Sequence, residues 1–229
     1  MESQREKLEL LSEKWKSQKG YNYFVYDGIL NYGKWNFVTP KILFLLKEAA
    51  DDFTEIAGLE INITNGNGPH FWWNICYWKY LIENLSKGVD VTFVSQSELP
   101  EVKINNNILD SIAYVNVKKN CENITISNDS DIYQYAINDK ELLVEQIEII
   151  NPDVVFCSKV TFLAYKYLYG NEIEKINSIC YKHKNRLILN FRHPSYFQIS
   201  GGRETLFNNL KSALTVDGNL FGQFSWSIK

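Results

Sequence analysis

Apolar residues fall into two kinds of run along this chain. Short unbroken runs stand at Ile42–Leu46, Ile112–Val117, Val154–Cys157 and Leu187–Leu189. Runs this short, with no polar alternation, predict strands buried on both faces. Between them the apolar residues recur at helical spacing. Leu8, Leu11 and Trp15 predict an amphipathic N-terminal helix over residues 4–16. In "HFWWNICYWKYLIENL", Trp72, Ile75, Trp78 and Ile82 share one face. "DKELLVEQIEII" offers Asp139 as an N-cap, "KVTFLAYKYLYG" is closed by Gly170, and "ETLFNNLKSAL" gives a last helix. "TNGNGP" and "NCENITISNDSD" read as loops, and the tail after Leu214 carries no assignment. Strands alternating with helices predict an α/β domain with a mainly parallel sheet.

Composition adds bounds. The chain has 229 residues and 45% hydrophobic content, which suits a single domain over 1–229 with one core. Residues 1–40 form a helix and an aromatic extension in which Gly28 and Gly33 mark turns. No apolar run approaches the ~18 residues of a membrane span. The start, "MESQREKLELLSEKWKSQKG", lacks the apolar centre of a signal peptide, so a cytoplasmic monomer is expected. A net charge of −3 excludes a globally basic nucleic-acid binder. Charge is uneven, however: Lys159, Lys166, Lys175, Lys182, Lys184, Arg186, Arg192, Arg203 and Lys211 face only Glu172, Glu174 and Glu204 in that stretch. From charge alone this reads as solvated helix surface. Cys76, Cys121, Cys157 and Cys180 form no CxxC pair, and the histidines add no zinc spacing, so no metal and no cofactor are expected.

Candidate chemistry gathers past the ends of these strands. Lys47-Glu48 and Asp51-Asp52 follow the first strand, Asn116 and Lys118-Lys119 close the second, and Arg192-His193-Pro194-Ser195 follow the last. Ligands of open parallel sheets bind outside the carboxyl ends of the strands. Each group also has a local explanation. Glu48 suits a helix N-terminus, Asn116 a loop backbone, and His193 a hydrogen-bonded core position. Singly those explanations are the simpler ones, but they account less well for all three groups lying at the same end of the sheet.

The order strand-"KEAAD", strand-"NVKK", strand-"HPS" resembles the uracil-DNA glycosylase superfamily. "NVKK" is similar to the Asn-Val-x-Lys segment of its iron–sulfur branch, and Glu48 falls where that branch carries a glutamate. The resemblance runs in short islands from Lys41 to about Leu210. It implies a three-layer α/β/α sandwich around a mainly parallel four-stranded sheet, and DNA as the partner. Two features depart from the pattern. Lys47 and Ala50 replace a glycine and a proline of the first motif, and the close cysteine pair that would hold an iron–sulfur cluster is missing.

The resemblance further implies hydrolysis of the N-glycosidic bond of uracil or another modified base flipped out of DNA. The transition state carries positive charge on the sugar and negative charge on the departing base. His193 would donate to the base oxygen, and Glu48 would hold a water and stabilise the cation, with Asp51 or Asp52 in reserve. Asn116 would read the base edge. A ring among Phe71, Trp72 and Trp73 would stack on it. Lys118, Lys119, Arg192, Arg203 and Ser195 would meet phosphates, and an apolar residue such as Phe197 would wedge into the duplex. Two other readings stay open: a nucleic-acid binding module that has lost catalysis, and a hydrolase of modified nucleotides.

Overall fold

The computed structural model describes residues 2–49, 70–99, 108–121, 127–196, 198–216, 218 and 220–227. Seven strands form one mixed sheet: β1 (Gly28–Ile29), β2 (Ile42–Leu46), β3 (Ile112–Asn116), β4 (Val154–Cys157), β5 (Ile173–Lys175), β6 (Cys180–His183) and β7 (Arg186–Asn190). Their order is β1-β3-β2-β4-β7-β6-β5. The contiguous strands β3, β2, β4 and β7 are parallel. β1 is antiparallel to β3, and the β5–β6 hairpin extends the other side antiparallel to β7. The expectation of a mainly parallel sheet therefore describes its centre, and the antiparallel flanks are additions that the apolar runs did not signal.

Alternation along each strand sends side chains to two separate cores. Ile42, Phe44, Ile112, Val154, Phe156, Leu187 and Leu189 face one side. Helices α3 (His70–Ser86) and α7 (Gly202–Thr215) cover it through Ile75, Trp78, Leu81, Phe207 and Leu210. Trp78 stacks on Phe156 at 5.3 Å, and Phe156 on Phe44 at 5.0 Å. Leu43, Leu45, Val115, Val155 and Ile188 face the other side. There α1 (Gln4–Lys19), α4 (Asp129–Asn138), α5 (Lys140–Ile150) and α6 (Lys159–Tyr169) cover them. A single turn, α2 (Tyr32–Trp35), buries Trp35 in the same core.

Two local expectations change. The stretch taken as a loop ends in α4, capped by the Asn128 side chain accepting from the Asp131 amide. Asp139 does stand at the start of α5, but its side chain makes no cap bond. Its carboxylate instead accepts from Tyr21 Oη at 3.0 Å and pairs with Lys19. Among the described residues, no helix is long and apolar enough to cross a membrane.

The chain order fixes where a ligand crevice opens. From β2 the chain moves to β3 on one side, then returns to β4 on the other. The reversal falls between β2 and β4, and in such sheets the crevice lies outside the carboxyl ends of the strands at that point. Lys47-Glu48 leaves β2 there, Ser158-Lys159 leaves β4, and Arg192-His193 follows β7 one strand further on.

Candidate functional site

Strands spaced about 4.8 Å apart put the end of β7 about 10 Å from the end of β2 and about 14 Å from that of β3. The three chemistry-bearing segments thus share one edge. Each is built into a different local network.

Beside β2, Glu48 is held by three bonds. Its Oε1 accepts from the Ser127 amide at 2.7 Å, and its Oε2 accepts from Ser127 Oγ at 2.7 Å and Lys118 Nζ at 3.1 Å. Burial opposes the charge on Glu48, but the bonds from Ser127 and Lys118 outweigh it and hold the carboxyl below its ordinary range. A carboxylate offers about four lone-pair sites, so one acceptor direction is left. Lys47 turns to Asp129 at 2.6 Å instead of pairing with Glu48.

Beside β3, the polar groups face inward. Asp27 is 6% exposed and Lys119 is fully buried. They pair directly, with the ammonium over the Trp15 ring at 5.1 Å. Burial disfavours the ammonium more than Asp27 restores it, so the Lys119 pKa falls. Gln146 Nε2 donates to Asp27 Oδ1 at 2.9 Å. Asn116 gives Asp27 both its amide, at 2.7 Å, and its Nδ2, at 3.1 Å. A carboxylate cannot donate, so Nδ2 must be the atom facing Asp27. That leaves Oδ1, buried and with no hydrogen-bond partner among the described residues.

Past β7, the loop presents its groups differently. Asn74, 1% exposed on α3, donates Nδ2 to Pro194 O at 2.6 Å and to Tyr196 O at 3.0 Å. The Tyr196 amide closes a turn onto His193 O at 2.8 Å. Within that turn the Ser195 amide donates to His193 Nδ1 at 3.2 Å. An Nδ1 that accepts carries no proton, so the neutral ring holds its hydrogen on Nε2 as a donor. Burial, and then the charge of Lys47, push the imidazole below its ordinary value, which favours this neutral form. Phe71 lies 5.9 Å from the imidazole, tilted by 50°, and Trp72 meets Phe71 edge-on at 4.5 Å.

Several expectations need correction. Lys119 cannot meet a phosphate while it is fully buried against Asp27. Lys118 is 9% exposed and engaged with Glu48 and Ser127. Asn116 is 2% exposed and has lost its donor to Asp27, so it retains only an acceptor for reading a base. Arg203 is half-buried in the first turn of α7, where its charge acts on Tyr77. Trp72 and Trp73 are half-buried against the core, and Phe71 is the ring of the three that adjoins His193. Arg192 and Ser195 are exposed, with the Arg192 guanidinium over the Tyr196 ring at 4.8 Å. Asp51, Asp52 and Phe197 lie outside the described residues.

Asp27, Asn74 and Ser127 were missed. Asn74 carried a visible signal, because it is a lone amide inside "HFWWNICYW". A buried amide on an aromatic helix needs a partner. Asp27 lies in "YDG", where an aspartate before glycine reads as an ordinary turn.

No protein-family model matches the sequence, and no curated protein matches it significantly. The geometry of the sheet edge therefore carries the functional argument.

Proposed function

We propose that the chain is a DNA-glycosylase-like hydrolase that cleaves the N-glycosidic bond of a modified base flipped out of DNA. In the finer fold reading, β3, β2, β4 and β7 are the four-stranded sheet of a three-layer uracil-DNA glycosylase-like sandwich. β1 and the β5–β6 hairpin are then additions to it.

The observation that carries the reading is the imidazole of His193. It is neutral, its tautomer is set by the Ser195 amide, and its loop is clamped by Asn74. A preorganised Nε2–H aimed at a departing base oxygen stabilises the anion that forms there. Phe71 supplies a ring against which an extruded base stacks. Asn116 is buried with its donor spent on Asp27, so contact with the base falls to His193 and Phe71. Glu48 stays ionised next to Lys118, which makes it a weak base. Its role is to favour positive charge on the sugar and to orient a water through its remaining lone pair.

A second reading has its own support. Three bonds to Glu48 leave little capacity for activating water, which favours a binding module that flips or holds a base without cleaving it. The test is abasic-site formation on oligonucleotides carrying a panel of modified bases, run beside binding to the same oligonucleotides. Cleavage of at least one base supports the hydrolase. Selective binding with no abasic sites selects the module.

A further inference from the structure

An open cleft of about 710 Å³ lies on the far side of the His193 loop, between the C-terminal end of β7, the β5–β6 turn and α7. Among the described residues its walls carry Lys159 and Arg192 but no aspartate or glutamate. Both cations are exposed, and neither makes an ion pair with another described residue. In a chain of net charge −3, two cations in one concave surface, with no carboxylate partner among the described residues, make a local positive field.

Neutral donors complete the lining. Asn209 and Ser212 stand three residues apart on α7, hence on one face of the helix, and both are exposed to the cleft. Asn190 lines the same space at the end of β7. The opposite wall is rigid. Asn177 Oδ1 accepts from the amides of Ile179 and Cys180, while its Nδ2 donates to Ala213 O at 2.8 Å, tying the turn to α7. Lys159 is the first residue of α6, so its ammonium adds to the positive end of an 11-residue helix.

We infer that this cleft binds backbone phosphates of a nucleic-acid strand, with Lys159 and Arg192 as the charged contacts and Asn209 and Ser212 as neutral donors. The choice of a strand rests on the proposed function. Arg192 belongs to the cleft and directly precedes His193, so a strand whose base reaches the imidazole continues over this surface. The β5–β6 hairpin, an addition to the parallel sheet, forms its outer wall. Two of the nine cations between Lys159 and Lys211 thereby gain a use that sequence charge alone did not justify.

The test uses the full chain and a fluorescein-labelled single-stranded oligonucleotide of mixed sequence, followed by anisotropy across a salt series. The double variant Lys159→Glu/Arg192→Glu changes only exposed side chains. Loss of two phosphate contacts predicts binding about tenfold weaker or more, and a slope of log affinity against log salt shallower by about 1.4. Lys87→Glu, exposed and outside the cleft lining, controls for a charge reversal elsewhere and should bind as the parent does. Calorimetry with inorganic pyrophosphate separates a strand from a small anion. Undiminished oligonucleotide binding by the double variant overturns the inference, even if pyrophosphate binding is lost. Equal weakening by Lys87→Glu, or no oligonucleotide binding by the parent, also overturns it. Base release is scored on the same samples. A parent that binds the strand through the cleft yet forms no abasic site retires the hydrolase and leaves the cleft standing.

Discussion

The two halves of the sheet edge are built in opposite ways. Around β3 and β2, nearly every polar group faces another: Lys119 and Asn116 meet Asp27, and Lys118 and Ser127 meet Glu48. Past β7, internal bonds fix the backbone and one ring nitrogen, and leave the other nitrogen of His193 without a partner among the described residues and Arg192 exposed. An unpaired buried charge costs several kcal/mol, so the polar groups of the first half are largely taken up by one another. The second half is tied to α3 through the Asn74 side chain and closed by its own turn bonds. Residues near a site are therefore not equally available to a ligand, and counting polar groups at a strand end overstates what is on offer.

The sharpest way to break the contrast is to remove one partner in the closed half. Lys119→Ala leaves Asp27 buried without its cation and should cost about 3–5 kcal/mol in denaturant unfolding. A cost within error of zero would mean the pair is dispensable. Asn74→Ala strips the donor from Pro194 O and Tyr196 O. It should cost about 1–3 kcal/mol, and hydrogen exchange should speed up in the 193–196 turn more than in the strands. Uniform exchange would show that the loop does not depend on this clamp.

Glu48→Gln should be milder, about 1 kcal/mol, because a neutral amide still accepts from Ser127 while Lys118 loses its counter-charge. The smallest effect is the pH response of His193. Its folded pKa lies below the ordinary 6.5, so the unfolded chain binds the proton more readily than the native loop. Its contribution to stability is complete above about pH 6.5 and is lost as pH falls through the lower folded value. Protonated Nδ1 also stops accepting from Ser195, so the loop should loosen in the same window. A titration of the His193 ring in the folded protein at or above 6.5 would reverse the sign.

The central sheet was legible because its strands are continuous apolar runs. Ile42–Leu46 and Val154–Cys157 stand as read, and the last strand gains Arg186 and Asn190. The β5–β6 hairpin was not legible. Glu174, Lys175 and Lys182 give it a polar, partly exposed edge with no apolar run to mark it. α4 was hidden because its first turn, Asp129-Ser130-Asp131, has the composition of a loop, although Asn128 is a regular N-cap. At the site, topology was readable and partnership was not. Strand ends locate Glu48, Asn116 and His193, but Asp27 lies 89 residues before Asn116, and no local pattern announces that their side chains meet. Lys118 and Lys119 illustrate the same limit. Adjacent lysines suggest a phosphate contact, yet one turns to Glu48 and the other into the core beneath Trp15.

The most direct test of the open half is single-turnover base release by the parent and by His193→Ala, on whichever modified base the parent cleaves. The account predicts a rate lower by about 100-fold or more, the usual loss on removing one preorganised donor from a developing anion. Oligonucleotide affinity should be nearly unchanged, because the Nε2–H bond strengthens in the transition state. Equal rates for the two proteins, or a loss confined to affinity, would contradict a donor role for His193.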